Sequence, residues 1–192
     1  MSISIEHIAT TTDQYLARFP AERGELAKLC EAVSAGGDLT SRKELPGHVT
    51  CGAVVVDPSL RVLHIRHNAL DRWLLPGGHV EPSDASLPAA ALRELGEETA
   101  LTTDRLAAPD AFTAFPVDID THPIPANPAK GEPDHWHYDF RYLFIANQPS
   151  AGGQHVQLQA EEVHDYGWLD LAAMPALRLR DKLIAMRGTL GF

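Results

Sequence analysis

The chain has 192 residues, and its 16 basic and 26 acidic side chains give a formal net charge of −10 with neutral histidines. This length predicts one domain with a modest extension, and the acidic balance argues against binding of nucleic acid through a basic surface. The two cysteines lack the spacing of a metal site. The sequence has neither a long apolar run nor a basic-then-apolar N-terminus, so it predicts a cytoplasmic protein without a membrane partner.

Residues 1–45 are predicted to form a helical extension that packs on a main domain of residues 46–192. Apolar side chains recur at helical spacing in two stretches of this extension. The first helix is expected to be capped by Thr12-Asp13 and ended by Pro20, and the second to cover residues 22–33. Packing is the simplest role for the extension, and a dimer contact or a lid over a substrate is the alternative.

From His48 onward, the apolar pattern changes to that of strands. Residues 49–56 and 60–65 are predicted to form two strands joined by a turn at Asp57-Pro58-Ser59. After a glycine turn and a helix, residues 101–115 are expected to hold further strand structure. Five isolated histidines are interpreted as surface or packing residues: His7, His48, His64, His67 and His155.

A dense group of carboxylates follows the glycine turn. At 100° per residue, Glu94, Glu97 and Glu98 fall within roughly a 100° arc of one helix face. Like charges at this spacing destabilise an isolated helix, so a divalent cation is the expected compensation, because Mg²⁺ binds carboxylate oxygens together with substrate phosphates. Arg93 precedes Glu97 by four residues and can hold its carboxylate in place. The alternative is a solvated, acidic helix end.

The segment from Gly78 to Leu101 resembles the Nudix box of MutT-like hydrolases. The match rests on Gly78, Arg93, Glu94, Leu95, Glu97, Glu98 and Leu101. There are three departures: Asp84 replaces the first glutamate of the box, one extra residue separates it from Arg93, and Ala100 replaces the closing glycine. Asp84 either ligates metal or helps Ser86 to cap the helix. Ala100 would cost about 1 kcal/mol if it adopts a left-handed conformation.

The resemblance implies an α/β protein with the Nudix fold, in which a mixed β-sheet lies between helices in an α/β/α arrangement. It also implies hydrolysis of a diphosphate linked to another moiety, with Mg²⁺ or Mn²⁺ as cofactor. Carried over by position, Glu94, Glu97, Glu98 and the backbone carbonyl of Gly78 would bind the cation. Glu94 and Glu98, together with Arg93, would be the catalytic residues.

A histidine-rich strand follows a segment with many prolines. Residues 118–133 are predicted to form a stiff loop, and residues 135–144 a strand. Side chains alternate across a strand, so one face carries His135, His137, Asp139 and Arg141.

Three interpretations of this face stay open. The first is a surface ladder of histidine–aspartate and aspartate–arginine contacts. The second is a wall of the substrate cleft, in which the forked guanidinium of Arg141 binds phosphate and His135 or His137 binds substrate or carries protons. The third is a transition-metal site that uses His122, His135 and His137, because imidazole suits Zn²⁺ and related ions.

Two further substrate contacts are predicted. His79 lies inside the glycine turn, close to the carboxylates in sequence. Residues 159–171 resemble the closing strand and loop of Nudix proteins, where a glutamate often completes the metal site or acts as base. Glu162 and Glu161 are the candidates, and two exposed loop acids without such a role are the alternative. Residues 178–187 are expected to form the last helix.

The leading hypothesis is therefore a metal-dependent pyrophosphohydrolase that acts on a small diphosphate-containing molecule, as a monomer or homodimer. A ligand-binding sensor that keeps the Nudix fold without its chemistry is the alternative, motivated by the departures at Asp84 and Ala100. A zinc-dependent hydrolase built on the histidine strand is a third hypothesis. The sequence does not identify the substrate.

Overall fold

The computed structural model describes residues 3–68, 71–128, 131–148, 156, 158–159 and 163–188. These residues contain the helices α1 (Ile5–Arg18), α2 (Ala27–Ala35), α3 (Leu87–Thr99) and α4 (Leu177–Met186). They also contain the strands β1 (Gly47–Val56), β2 (Arg61–His67), β3 (Arg72–Leu74), β4 (Gly77–His79), β5 (Leu106–Ala107), β6 (Asp118–Ile124), β7 (His135–Ala146) and β8 (Val163–Asp170). None of these helices combines the length and apolarity that a membrane crossing requires.

The strands form one mixed sheet around a parallel pair. β1 and β7 run parallel from Gly47 opposite Trp136 to Val56 opposite Ile145. The other strand pairings are antiparallel: β4 pairs with β1, β5 and β6 pair with β7, and β2 pairs with β1, β3 and β8. A parallel pair needs a long crossover connection, and α3 lies within the one that joins β1 to β7.

Alternation along β1 and β7 supplies two hydrophobic cores. One face of these strands packs against α1, α2 and α3, through side chains that include Val49, Cys51, Val55, Tyr138, Phe140 and Tyr142. The opposite face contributes Val54, Val56 and Leu143 to a smaller core with Leu179 and Leu183 of α4. The sheet therefore lies between helices on both faces, which confirms the predicted α/β fold.

The first helix begins earlier than the sequence predicted. α1 starts after Ser4, whose hydroxyl accepts a hydrogen bond from the His7 N–H at 3.3 Å. Thr12, the predicted cap, lies inside the helix and donates its hydroxyl to the Ile8 carbonyl at 2.8 Å, an alternative use of a threonine side chain. Pro20 opens a short 3₁₀ turn, so α2 starts at Ala27 instead of residue 22.

Both N-terminal helices contribute to the main core. Their buried apolar side chains are Ile8, Tyr15, Leu16 and Leu29, and Leu26, the residue before α2, is buried with them. These residues pack in the same cluster as the central strands, so the extension shares a core with the sheet. The division of the chain into residues 1–45 and 46–192 stays a prediction.

Of two predictions for the middle of the chain, one was wrong. Residues 118–124, predicted to lie in a proline-rich loop, form β6 and pair with β7 from Asp118 opposite Arg141 to Ile124 opposite His135. Pro123 is tolerated because β6 is paired on one side, to β7, so its missing N–H need not break a central ladder. Residues 101–115 hold the strand β5, as predicted, although it covers only two residues and two 3₁₀ turns flank it.

Ala100 ends α3 in the left-handed conformation that its position in the box predicts, with φ 54° and ψ 18°. We expect Ala100→Gly to raise the free energy of unfolding by about 1 kcal/mol, because glycine adopts this conformation without steric cost. Urea unfolding of both proteins measures the difference. As a control, Ala9→Gly in the middle of α1 should lower stability by about 1 kcal/mol. A loss of stability in Ala100→Gly would contradict the assignment of strain to this residue.

A buried charge network fastens α4 to the sheet. The fully buried carboxylate of Asp118 accepts hydrogen bonds from Arg141 at 2.9 Å, from Lys182 at 2.7 Å and from Arg178 at 3.2 Å. Lys182 also bonds Glu22, and Arg178 pairs with Glu25, so the segment between α1 and α2 joins the same network. One aspartate on β6 therefore links the sheet, α4 and the N-terminal segment.

This network predicts that stability falls in acid. Burial alone would raise the pKa of Asp118, but Arg141, Lys182 and Arg178 hold it below its ordinary value, and His122 and Arg141 lower the pKa of Asp120 against burial. Groups with depressed folded-state pKa stabilise the fold above the unfolded pKa of about 4, and this contribution is lost as pH falls toward their folded values. Urea unfolding at decreasing pH should show this loss. An Asp118→Asn variant should show a shallower pH dependence, and an unchanged slope would contradict the assignment.

Candidate functional site

The carboxylates of the box lie on α3 beside the turn that precedes it. Ser86 caps the helix by accepting a hydrogen bond from the Ala89 N–H at 3.3 Å, and Leu87, Ala90, Ala91 and Leu95 bury its apolar face. The carboxylates occupy the neighbouring face, as the helical spacing predicts. Glu98 is buried, the Glu94 side chain is 14% exposed and that of Glu97 is 51% exposed.

Strand β4 passes directly against two of these carboxylates. The Gly77 N–H donates a hydrogen bond to Glu98 Oε2 at 2.9 Å. A Cβ at Gly78 would lie 2.5 Å from Glu94 Oε1, and one at Gly77 would lie 2.5 Å from the Cys51 carbonyl oxygen. The close approach of the β1 backbone therefore requires glycine at position 77, whereas an added Cβ at Gly78 would displace the Glu94 carboxylate.

Arg93 holds this arrangement together. Its guanidinium bonds Glu94 at 3.0 Å and Glu97 at 2.9 Å, the second contact being the one that the helical spacing predicts. It also donates to the His79 backbone carbonyl at 2.8 Å and thereby ties α3 to β4. The hydrogen bonds that Arg93 donates to Asp84 are the largest cause of the raised pKa of Arg93, so this side chain stays positively charged.

Asp84 is committed to Arg93. Its two oxygens accept from Arg93 Nε at 3.0 Å and Nη2 at 3.1 Å, a bidentate pair that gives both strength and direction. One oxygen also accepts from the Glu81 N–H at 2.8 Å, and the side chain is only 5% exposed. Ser86 makes the helix cap on its own, and a role of Asp84 as metal ligand stays a prediction.

The donor set fits a hard divalent cation. Glu94 and Glu98 are one helical turn apart, both contact β4, and Glu97 adds a carboxylate at the exposed edge. These groups and the Gly78 carbonyl offer only oxygen atoms, the ligands that Mg²⁺ and Mn²⁺ prefer. The assignment of these four residues as ligands stays a prediction.

The polar side chains of β7 form a second polar surface on the same sheet. Arg141 bonds three carboxylates: Asp118 at 2.9 Å, Asp120 at 3.0 Å and Asp139 at 2.8 Å. Asp139 also accepts from the Thr50 hydroxyl at 3.1 Å. For Arg141 and Asp139 this geometry matches the interpretation of the face as a ladder of ion pairs. Binding of phosphate by Arg141 stays a prediction and would require it to give up carboxylate partners.

Five histidines gather at one end of this surface. The strand register sets His48 of β1 opposite His137 of β7, and His137 opposite His122 of β6. With His79 and His135 they form a group, here called the histidine cluster, whose members are His48, His79, His122, His135 and His137. The ring centroid of His137 lies 4.8 Å from that of His48, 5.1 Å from that of His135 and 5.2 Å from that of His79.

His48 is the member that the sequence did not single out. It is buried, as a packing residue would be, but it is not isolated, because its ring lies against other histidines of the cluster. The parallel pairing of β1 with β7 brings it there, and this register is not visible in local sequence. Two other candidates, Glu161 and Glu162, lie outside the described residues.

Comparison with known proteins shows a family match. A family model described as the NUDIX domain matches residues 46–186. The chain is 34% identical over 91 residues to a probable DHNTP pyrophosphohydrolase of Lactococcus lactis subsp. cremoris, which covers 47% of this chain and 50% of that protein. It is 34% identical over 108 residues to the m7GpppN-mRNA hydrolase NUDT17 of Bos taurus, which covers 54% of this chain and 34% of that protein. These alignments span half or less of each curated relative.

Solved structures share the fold at low sequence identity. An Ap4A hydrolase of C. elegans in a binary complex superposes with a TM-score of 0.55 and 22% identity, over 75% of this chain and 98% of that one. A NUDIX-family hydrolase from Clostridium perfringens gives a TM-score of 0.51 and 20% identity, over 72% and 97% of the two chains. At these identities the likeness concerns the fold alone.

Proposed function

The chain belongs to the Nudix family, and we propose that it is a metal-dependent pyrophosphohydrolase that cleaves the diphosphate of a small molecule, such as a nucleoside diphosphate linked to another moiety. The observation that carries this proposal is the packing of Glu94 and Glu98 against Gly77 and Gly78, with Arg93 fixing the helix to the strand. The names of the two curated relatives, both hydrolases of phosphoric anhydrides, support it.

In this proposal, Glu94, Glu97, Glu98 and the Gly78 carbonyl hold Mg²⁺ or Mn²⁺. The bound cation supplies positive charge that offsets the negative charge developing on the diphosphate. Arg93 keeps the Glu94 carboxylate on the β4 side and Glu97 at the exposed edge, so the ligands are oriented before any ion or substrate arrives. Such preorganisation lowers the cost of assembling the site.

The remaining chemistry is proton transfer. A water molecule attacks phosphorus, and a glutamate of the set, Glu98 or Glu94, accepts its proton. The bond between phosphorus and the bridging oxygen breaks, and each product carries a phosphate. Because Glu98 is buried and bonded to Gly77, its carboxylate has a defined position for this role.

A substrate panel tests the proposal. Nucleoside di- and triphosphates, sugar nucleotides and dinucleoside polyphosphates are incubated with Mg²⁺ or Mn²⁺, and phosphate is measured after a coupled phosphatase releases it from the products. We expect turnover of at least one class that stops when a chelator is added. If no class is turned over while calorimetry shows ligand binding, the chain is a ligand-binding sensor instead.

The two glycines predict different defects. In Gly78→Ala the added methyl group meets the end of the Glu94 side chain, which can move, so we expect a kcat lower by about 10²-fold with little change in stability. In Gly77→Ala it meets the Cys51 carbonyl and the Gly52 Cα, which cannot move alone, so we expect a stability loss of about 1–3 kcal/mol. Urea unfolding and kcat for both variants separate the effects. Equal stability losses would contradict the distinction.

The other predicted contacts remain part of the proposal. The backbone carbonyl of His79 is bonded to Arg93, whereas its ring lies in the histidine cluster, and a substrate contact by His79 stays a prediction. Substrate contacts by His135, His137, Asp139, Arg141 and Glu162 stay predictions, as do the cytoplasmic location, the absence of a nucleic-acid partner and the choice between monomer and homodimer. A role of the N-terminal helices as a lid or dimer contact is also untested.

A further inference from the structure

The histidine cluster contains a compact set of ring nitrogens. One nitrogen each from His48, His135 and His137 lies within 4.8 Å of the other two. His135 Nε2 and His137 Nε2 are 3.3 Å apart. Two ligands at the usual Zn–N distance on a tetrahedral ion are also about 3.3 Å apart, so this pair already has the spacing of zinc ligands.

Backbone carbonyls orient two of these rings. His135 Nδ1 lies 2.8 Å from the Pro133 carbonyl oxygen, and His48 Nδ1 lies 3.4 Å from that of Glu44. A carbonyl only accepts hydrogen bonds, so we assign the proton to Nδ1 in both rings, which leaves a lone pair on each Nε2. Histidines that bind metal characteristically donate their other ring N–H to a carbonyl or carboxylate in this way.

His48 provides an independent sign of a missing ligand. The residue has a relative exposure of 2%, so it is 98% buried. Its Nε2 has no hydrogen-bond partner among the residues that the structure describes. A buried polar atom without a partner is costly, and such an atom calls for an explanation, such as an ion. Burial also lowers the pKa of His48 and His137, in the direction that favours the neutral ring, which is the form that binds a cation.

We propose that His48, His135 and His137 form a second metal site, for a borderline divalent transition metal such as Zn²⁺. Three imidazoles suit Zn²⁺ and related ions and not Mg²⁺, and three protein ligands leave a fourth position open. An ion here links the beginnings of the two parallel strands. His48 lies near the start of β1, and His135 and His137 lie at the start of β7.

This site is separate from the carboxylates of α3. Gly78 faces Glu94, whereas the next residue, His79, directs its ring to the opposite side of β4, where the histidine cluster lies. The two sites also differ in ligand type, since one offers oxygen and the other imidazole nitrogen. The inference therefore does not depend on the proposed hydrolase activity.

Zinc titration by calorimetry tests the site. The chain is stripped with a chelator, dialysed and titrated with Zn²⁺ in excess Mg²⁺, which occupies the carboxylates. We expect Zn²⁺ to bind at one site per chain and not to be displaced by Mg²⁺. In His48→Ala and His137→Ala, the affinity for Zn²⁺ should be weakened at least about 100-fold. His7→Ala, at an exposed histidine, and Glu98→Gln should bind Zn²⁺ like the unmodified chain.

Thermal unfolding and Co²⁺ absorption give a second readout. At free Zn²⁺ near 100 times the Kd, the midpoint should rise by about 5–10 °C, and bound Co²⁺ should show the intense visible bands of a low-coordinate site. Circular dichroism first establishes that each variant is folded; if His48→Ala is not, His135→Ala and His137→Ala carry the test. Two results would overturn the inference. One is the absence of Zn²⁺ binding, in which case the cluster is only a ladder of hydrogen-bonded histidines. The other is Zn²⁺ binding that is lost in Glu98→Gln but kept in the histidine variants.

Discussion

Glu98→Gln is expected to reduce kcat by about 10²–10⁴-fold while the fold is retained. Glutamine has nearly the same shape, and its amide oxygen can still accept the hydrogen bond from Gly77, so β4 and α3 stay in contact. What the substitution removes is the negative charge, and with it both a proton acceptor and a strong ligand for a hard cation. The measurement is steady-state turnover of the best substrate from the panel, at saturating Mg²⁺.

A matched control separates this effect from a general loss of charge. Glu31→Gln makes the same chemical change on α2, where Glu31 is exposed and paired with Lys28 at 2.8 Å. It should leave kcat and unfolding unchanged. Full activity in a folded Glu98→Gln protein would show that this carboxylate has no catalytic role, and the proposed site would then have to be abandoned.

Asp118→Ala is expected to lower the free energy of unfolding by about 3–5 kcal/mol. The substitution removes the shared partner of Arg141, Lys182 and Arg178 and leaves their charges crowded at a buried position. Removing one partner of a buried ion pair is costly because the remaining charge is desolvated without compensation. The N-terminal segment should loosen as well, since Lys182 and Arg178 also bind Glu22 and Glu25.

Asp181→Ala provides the comparison on the same helix. Asp181 is 66% exposed and pairs with Arg180 at 2.8 Å, so its loss should change stability by less than about 0.5 kcal/mol. Urea unfolding of the two variants measures both effects under one condition. A similar, small effect at both positions would show that the network around Asp118 contributes little to the stability of the fold.

The helix α3 and its carboxylate face could be predicted because their signals are local. The position of Glu94, Glu97 and Glu98 on one face follows from helical geometry, and the contact of Arg93 with Glu97 follows from their spacing. The left-handed Ala100 was predictable from its place at the end of the box. The partner of Asp84 was not, because the turn before α3 folds back and brings Asp84 to Arg93 across nine residues.

The errors arose where distant strands meet. Prolines in residues 118–133 favoured a loop, yet pairing with β7 outweighs this local preference over residues 118–124. The same pairing brings Asp118 and Asp120 to Arg141, for which the sequence left both an ion-pair ladder and phosphate binding open. His48 joins the histidine cluster only through the parallel register of β1 with β7. Such contacts depend on the register between segments far apart in sequence, and no local pattern encodes that register.

The most direct test of the proposed activity is ³¹P NMR of the reaction with a sugar nucleotide or dinucleoside polyphosphate in the presence of Mg²⁺. Cleavage of a phosphoric anhydride should replace the diphosphate signals of the substrate by those of two phosphate-bearing fragments, and Glu98→Gln should leave the substrate signals unchanged. Persistence of the diphosphate with every substrate class, or its equally fast loss in Glu98→Gln, would contradict the proposal that the carboxylates of α3 make this chain a pyrophosphohydrolase.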